Sequence, residues 1–526
     1  MPSAQSGRWA VAFAETHREL RGAIGLGSLP RNVAAGISTA LVALPLNIAL
    51  ALACGLPASV GLVTGAVAGV IGGLLGGTRL QITGPEVALA PMTLAIVAQA
   101  GVSGLVWCTL LAGGMQIAFG LLRVGRFVRA IPAPVITGFM VAVGLIVLDT
   151  QLPRLLGMPD QTARLSQLAA GASAHVSLVA LGVGGVAMAS LILLPRIHPR
   201  LPAPLVAVGV PIGVVALLGL HLPHVPDIDS VLPSAGLPAL SLDRIVALLP
   251  SAIGLALLAS LDSLLSAVSL DARMGTTHRS DQELVAQGVA NLVCGLVGGM
   301  PVAGAIVRSS AAMDAGGDTR AAPIVQSIVL GAVLVVLGAH LDVIPLAALA
   351  AILVVVGVKL LQPAKLRALY LRSRPDFAIA VVTAVAIVAW DFVLGIGVGV
   401  AAALAHQGLA RAGLSLTVER DEDADLAHYR LEGPLVFTNY GSFAHAIARE
   451  VASRVVMDFT AVPVLDLSAG DALQREIARL EGAGTEVELR ALRPSLAVML
   501  GSAASPSSDA RPEAAEDGRR ASWNSV

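Results

Sequence analysis

Apolar and polar positions follow one another in long blocks along this chain, not in the short periods of a water-soluble fold. From residue 33 to residue 410, runs rich in Ala, Val, Leu, Ile and Gly are broken only by brief polar turns. A helix that crosses a bilayer needs about 20 mostly apolar residues. Fourteen runs reach that length or about half of it, from 33–54 at the start to 393–410 at the end. The pattern predicts a polytopic α-helical membrane protein with 14 transmembrane segments. Two runs are interrupted. Residues 76–91 read GGTRLQITGPEVALAP and residues 298–310 read GGMPVAGAIVRSS, each a Gly-Gly pair followed by a Pro. Broken helices at membrane depth are tolerated where they are buried in protein or line a cavity. A matched pair points to the binding site of a secondary transporter.

Basic residues set the orientation. With the N-terminus inside, the inner loops carry Arg123, Arg126 and Arg129, then Arg196 and Arg200, Arg273 and Arg279, and Lys365, Arg367, Arg372 and Arg374. The outer loops are poorer in positive charge, with Arg154 and Arg164 in one and Arg244 in another, and the last run exits inward at Arg411. The positive-inside rule then places both termini in the cytoplasm. Residues 1–30 form a cytoplasmic segment without the apolar stretch of a cleavable signal. The transport domain occupies 31–411.

After Arg411 the pattern shortens to that of a small soluble α/β unit over 416–503. Strands are expected at 431–437, 454–460 and 487–492, with helices over 442–452 and 471–482. Residues 504–526, rich in Ser, Ala, Pro and charge, read as a disordered tail.

Composition agrees with the blocks. The chain is 56% hydrophobic and 13% charged with mean hydropathy +0.81, against about 25% charged in soluble domains. A net charge of −1 offers no basic surface for nucleic acid. Cys54, Cys108 and Cys294 sit in apolar runs without metal or disulfide spacing and read as packing residues. No nucleophile–base pair or metal cluster suggests an enzyme, and no cofactor is expected beyond a coupling Na⁺ or H⁺.

The interrupted segments belong to an internal repeat. The offset from Pro85 to Pro301, applied to Pro45, lands on Leu261 beside Asp262. Repeat 1 covers about 31–221 and repeat 2 about 245–411. Seven segments in each half make the repeat inverted, so the two half-helix starts should face each other near the midplane. Helix N-termini carry free N–H donors and partial positive charge, which suits an anion. Pro85 and Pro301 are expected in the first helical turns. Val87 from the first segment, and Ala303 and Gly304 from the second, are the predicted substrate contacts there.

Ionisable residues at membrane depth are functional by default. Asp262 lies mid-run, with Ser266 one turn away on the same face. That carboxylate–hydroxyl pair suits Na⁺ or a proton. Arg308, expected in the second turn of its half-helix, offers a fork of donors to an oxyanion. Its alternative is a structural ion pair with Asp262. Glu86 reads either as a cap of the orphan N–H groups or as a proton site. Asn47 either lines the cavity or caps a break after Pro45. Asp271, Glu283, Gln287 and Asn291 read as structural.

These residues resemble the SulP family of anion transporters, the sulfate-permease and anion-exchanger group. The resemblance covers roughly residues 28–500. It rests on VALPLNIALALACGLPASVGL at 42–62, on TGPEVAL at 83–89 and on IPLAALAAILVVVGVKLL at 344–361. Its most specific stretch is QELVAQGVANLVCGLVGGMPVAGAIVRSSAAMDAGGDT at 282–319. The resemblance implies a core domain (segments 1–4 and 8–11) and a gate domain (5–7 and 12–14). It also implies alternating access and a C-terminal STAS domain with LDLSAG at 465–470. Such a domain is expected to regulate and to assemble a homodimer, and Ser468 would be its modification site. Asp262 stands where the family often has Glu. Its hydroxyl partner resembles the sodium-binding pattern of bicarbonate symporters. Glu86 replaces a residue that is usually small or uncharged, and Leu46 stands where many members have Gln.

The expected function is secondary active transport of an inorganic anion, of the sulfate or bicarbonate class, across the inner or plasma membrane. The alternatives are a dicarboxylate/H⁺ symporter of the same family, a nucleobase-type symporter of the same fold, and an anion-gated channel or sensor acting through the STAS domain. The expected partners are the anion, membrane lipid and a second copy of the chain.

Overall fold

The structure is a computed structural model of the 526-residue chain. It describes residues 28–125, 132–158, 176–198, 201–226, 237–239, 241–390, 392–409, 417–423, 426–433, 452–462 and 467–490, together with Thr16, Glu19, Leu165, Leu435, Tyr440, Phe443, Ile447 and Leu465. The expected tail at 504–526, the first fifteen residues, and Arg126, Arg129, Arg164, Arg200 and Arg411 lie outside that set. The chain forms two compact units, Met1–Gln407 and Gly408–Val526.

The first unit is helical. Its order is α1 (Leu29–Ala53), α2 (Ala58–Leu75), a two-residue strand β1 (Thr83–Gly84), a 3₁₀ turn (Val87–Leu89), α3 (Ala90–Leu121), α4 (Ala133–Leu155), α5 (Leu178–Ile197), α6 (Ala203–Leu218) and a short α7 (Leu242–Ala247). Then come α8 (Leu249–Met274), α9 (Ser280–Leu296), strand β2 (Ala303–Gly304), α10 (Ile306–Asp314), α11 (Ala321–Leu337), a 3₁₀ turn (Gly338–Val343), α12 (Leu346–Leu360), α13 (Pro363–Arg372), α14 (Arg374–Ala389) and α15 (Phe392–Leu409). Among the described residues, eight helices are long and apolar enough to cross a membrane by themselves. The fourteen-segment count requires the shorter pieces as well and belongs with the proposal below.

One of the eight runs over Val87–Leu121, 35 residues. At 1.5 Å per residue that is about 50 Å, well beyond a hydrocarbon core of about 30 Å. Gly101 resolves the excess. Its φ of +68° breaks the helix, and no atom approaches the place a side chain would take. Glycine adopts that left-handed backbone without steric penalty.

Packing sorts the helices into two groups. In one, α3 lies against α8 and α9, while α11 lies against α1 and α2. In the other, α4 lies against α12 and α14, and α5 against α6 and α12. These sets match the segments that the resemblance assigns to core and gate. Helix α1 touches both, reaching α6 and α12 as well. Pro45 sits inside α1, which continues through it. Membrane helices tolerate such a proline when neighbours satisfy the freed carbonyl.

The second unit holds a four-stranded sheet in the order β3 (Thr417–Asp423), β4 (Leu426–Glu432), β5 (Arg454–Ala461), β6 (Glu486–Arg490), with α16 (Leu467–Gly482) between β5 and β6. β3 and β4 pair antiparallel; β4–β5 and β5–β6 pair parallel. Along β4, Ala427, Tyr429 and Leu431 point to one buried face, the period of two that a half-buried strand requires. They meet Val455, Met457, Phe459 and Leu473 in one apolar core. The strand expected at 431–437 instead begins at Leu426, and Leu435 makes only an isolated bridge to Leu465. The charged β3 is an addition. Helix α16 starts at Leu467, four residues before the expected position, and carries Ser468 in its first turn.

Candidate functional site

The two interrupted segments meet. Thr83 pairs with Gly304 and Gly84 with Ala303, antiparallel. The next pair outward on one side adds Ala305 N–H donating to Ile82 O at 2.8 Å. On the other side Pro85 stands opposite Val302 and has no N–H to give. Asn291 supplies what Pro85 cannot: its Nδ2 donates to Val302 O at 3.0 Å and its Oδ1 accepts from Val302 N–H at 2.9 Å. Pro85 follows its strand and Pro301 precedes its own, so the two are not matching positions, as the sequence match has them, but lie at the same end of the strand pair.

Buried side chains satisfy the rest of these connectors. Glu283 Oε2 accepts from the N–H groups of Gly77 at 2.7 Å and Thr78 at 3.1 Å. Gln287 Nε2 donates to Thr83 Oγ1 at 2.8 Å. Thr64 Oγ1 accepts from Met300 N–H at 2.9 Å, and Ser309 Oγ from Ile82 N–H at 2.9 Å. Glu283, Gln287 and Asn291 recur every fourth residue on one face of α9. That face is a polar spine that holds both extended segments inside an apolar helix bundle. Their structural reading stands, and their effect is to position the site.

The helices start later than expected. The first segment enters its 3₁₀ turn at Val87 and its α-helix at Ala90, with Pro91 in the first turn. The second enters α10 at Ile306. Pro85 and Pro301 lie in the extended connectors, and Arg308 is in the first turn of its helix, not the second.

Arg308 is fully buried. Its Nη1 donates to Asn47 Oδ1 at 3.0 Å, its Nη2 to Glu86 Oε2 at 3.2 Å and also to Pro85 O. The ion pair of Arg308 is with Glu86, not with Asp262 as the alternative reading had it, because Glu86 follows Pro85 in the connector that passes Arg308. Glu86 does not cap the turn it precedes. Asn47 caps no break either; its fully buried side chain holds Arg308. Gly84 makes room for the guanidinium: a Cβ there would lie 2.7 Å from Arg308 Nη1.

Asp262 and Ser266 sit one turn apart on α8, both buried, at 3% and 0% exposure. Asp262 Oδ2 and Ser266 Oγ have no hydrogen-bond partner among the described residues. Asp262, Glu86 and Arg308 act on one another electrostatically. Two carboxylates against one guanidinium leave one surplus negative charge in a buried place, which a proton or a cation would neutralise. Val87 and Ala303 are buried beside these groups. The Gly304 N–H, expected to face substrate, is taken by Ser263 Oγ at 2.9 Å. Gln81 Nε2 also donates to Ser263 O, at 3.1 Å. Sequence reasoning missed Ser263 and Gln81. The available signal was a second polar residue beside Asp262 and a Gln within the broken segment.

Two cavities lie between the helix groups. One is bordered by Leu52, Gln151, Arg154 and Leu346. The other touches Ala90 and Pro91 at the start of α3 and shares Gln151.

Comparison with known proteins decides the family. Residues 29–383 match the sulfate permease family and residues 416–503 match the STAS domain. The chain belongs to the sulfate permease family. The broken-helix pair, Asp262 and Arg308 all fall inside the sulfate permease match. Another protein to which this family member is similar is the bicarbonate transporter BicA of Synechocystis. The identity is 29% over 497 residues, 86% of each chain. The solved transmembrane domain of a cyanobacterial BicA superimposes with a TM-score of 0.64 and 29% identity, over 72% of this chain and 98% of that one. The murine Slc26a9 anion transporter in its inward-facing state shares the fold, with a TM-score of 0.68 at 19% identity, over 92% and 89% of the two chains. This sulfate permease family member is a multi-pass membrane protein.

Proposed function

We propose that the chain is a secondary active transporter of a small inorganic oxyanion, of the sulfate or bicarbonate class, working by alternating access and coupled to protons. The observation that carries this reading is the pairing of Glu86 with Arg308. The guanidinium is the fixed positive charge of the site, and its bidentate edge suits an oxyanion. Glu86 holds that edge with its own carboxylate. Protonation of Glu86 weakens its hold and frees Arg308 for the incoming anion, so proton and anion enter together. Family membership and the likeness to BicA support the anion class.

Asn47 keeps Arg308 in place when Glu86 lets go. The starts of α3 and α10 add N–H groups and dipole around the same point. The fourteen segments, in seven-plus-seven inverted repeats, would divide into the two packing groups, with the cavities at Gln151 as part of the access route. The protein would sit in the inner or plasma membrane with both termini cytoplasmic, as a homodimer with the STAS domain as regulator and Ser468 as its modification site.

A second coupling reading rests on its own observation. The unpartnered oxygens of Asp262 and Ser266 are placed to hold Na⁺ in place of a proton. Radiotracer uptake into proteoliposomes separates these readings. Sulfate, bicarbonate and fumarate would each be offered with and without Na⁺ and with and without a pH gradient. Uptake of sulfate or bicarbonate that rises with external acid supports the proposal. Uptake that ignores both gradients, or runs as passive flux without counterflow, overturns it in favour of a channel.

A further inference from the structure

Away from the strand pair, three arginines converge where the starts of two helices meet. Arg279 is the N-cap residue of α9 and Arg320 that of α11. Arg79 comes from the connector after α2. Helix N-termini add partial positive charge at the same place. One carboxylate from the N-terminal segment enters this ring. Glu19 Oε2 accepts from Arg320 Nε at 2.8 Å and Glu19 Oε1 from Arg79 Nε at 3.2 Å. Arg279 Nη2 stands 3.9 Å from Glu19 Oε2. Three residues earlier, Thr16 Oγ1 accepts from Arg279 Nη2 and from Gln282 Nε2, both at 2.9 Å.

Arg320 is the deepest of the three, with its side chain 1% exposed. Its Nη1 donates to Gly73 O at 3.2 Å, and its Nη2 is buried without a hydrogen-bond partner among the described residues. A buried guanidinium needs a matching charge. Among the described residues, the other acids around the pocket bond other groups as well. Asp271 bonds His278 and Thr276, and Asp318 bonds Arg31 and Asn32. Glu283 holds Gly77 and Thr78. Among the described residues, Arg79, Arg279 and Arg320 all face the Glu19 carboxylate, beside an open cavity. Burial would raise the Glu19 carboxyl, but the hydrogen bond and charge of Arg320, with Arg279 and Arg79, hold it below the usual range. Glu19 is therefore anionic at neutral pH.

We propose that this pocket is a second oxyanion site, separate from the strand-pair site, that takes a small tetrahedral dianion and has Glu19 as its built-in competitor. The Glu19 carboxylate shows how such a ligand sits, one oxygen on each of two guanidiniums. A tetrahedral dianion brings further acceptor oxygens, and Arg320 Nη2 is the donor left for them. Binding displaces Glu19 and releases Thr16 and Glu19 from the helix bundle. The N-terminal segment thereby reads the anion level on its own side of the membrane.

The test uses the full chain and inorganic sulfate. Arg308→Ala removes the strand-pair site, and equilibrium binding of radiolabelled sulfate is then compared with and without Glu19→Gln. The proposal expects Glu19→Gln to tighten binding about tenfold, and Arg320→Gln to abolish that gain. Equal affinity with and without Glu19→Gln overturns it. A second measurement keeps Arg308 intact. The native cysteines Cys54, Cys108 and Cys294 are buried, so Glu19→Cys would be the reactive thiol for an anionic thiol reagent. Sulfate is expected to slow its labelling about fivefold by occupying the arginines. A labelling rate unchanged by sulfate contradicts the site.

Discussion

Glu86 Oε2 lies 3.2 Å from Nη2 of a fully buried Arg308, so the one fixed cation of the site is held by a carboxylate of the same chain. The pair joins the two interrupted segments. If Glu86 competes with the transported anion, Glu86→Gln removes the competitor and the proton step together. The amide fits the same space. Apparent anion affinity should tighten about tenfold, and uptake should lose its response to a pH gradient. Sulfate uptake by Glu86→Gln at matched and opposed pH checks this.

Gly84 is a second lever on Arg308. A methyl group there would lie 2.7 Å from Nη1 and 3.3 Å from Cζ. Asn47, Glu86 and Pro85 hold the guanidinium, so a retreat from the methyl would break those bonds. Gly84→Ala is expected to lower anion uptake at least about tenfold while costing about 1–3 kcal/mol in stability. Thermal unfolding beside uptake separates the two effects.

Asn291 completes the register that Pro85 leaves open. Asn291→Leu strands the N–H and C=O of Val302 in the bundle, at about 1–3 kcal/mol for each group. The expected outcome is a lower melting temperature and lost uptake. Asn291→Gln should not rescue either, since its longer side chain cannot reproduce both bonds.

Asp262→Asn tests the cation reading. If Asp262 and Ser266 hold Na⁺, the variant and Ser266→Ala both lose Na⁺ stimulation of uptake. If the proton at Glu86 is the coupling step, Ser266→Ala leaves pH-driven uptake unchanged within about twofold. Uptake in paired Na⁺ and pH gradients distinguishes the two.

Much of this arrangement was legible from residue pattern. Block hydropathy predicts the helices. Asp262, Arg308, Glu86 and Asn47 stand out since charge and amide groups are rare at membrane depth. Their pairing was not legible. Arg308 finds Glu86 and not Asp262 because the strand register, set by Thr83 with Gly304, decides which connector passes over which helix start. Pro85 and Pro301 looked equivalent by spacing. Only the ladder shows that the missing N–H of Pro85 falls opposite Val302, where Asn291 answers it. The Glu19 latch was hidden for a related reason: its partners lie sixty to three hundred residues away along the chain. In the soluble unit, β3 was missed because TVERDED carries charge where strand propensity looks for apolar alternation.

The most direct measurement is proton movement during sulfate uptake. Proteoliposomes with an entrapped pH indicator would receive an inward sulfate gradient with no imposed pH difference. The account predicts internal acidification that tracks radiolabelled sulfate in the wild-type chain and is absent in Glu86→Gln, which still moves sulfate. Sulfate entering the wild-type vesicles without any change in internal pH would contradict it.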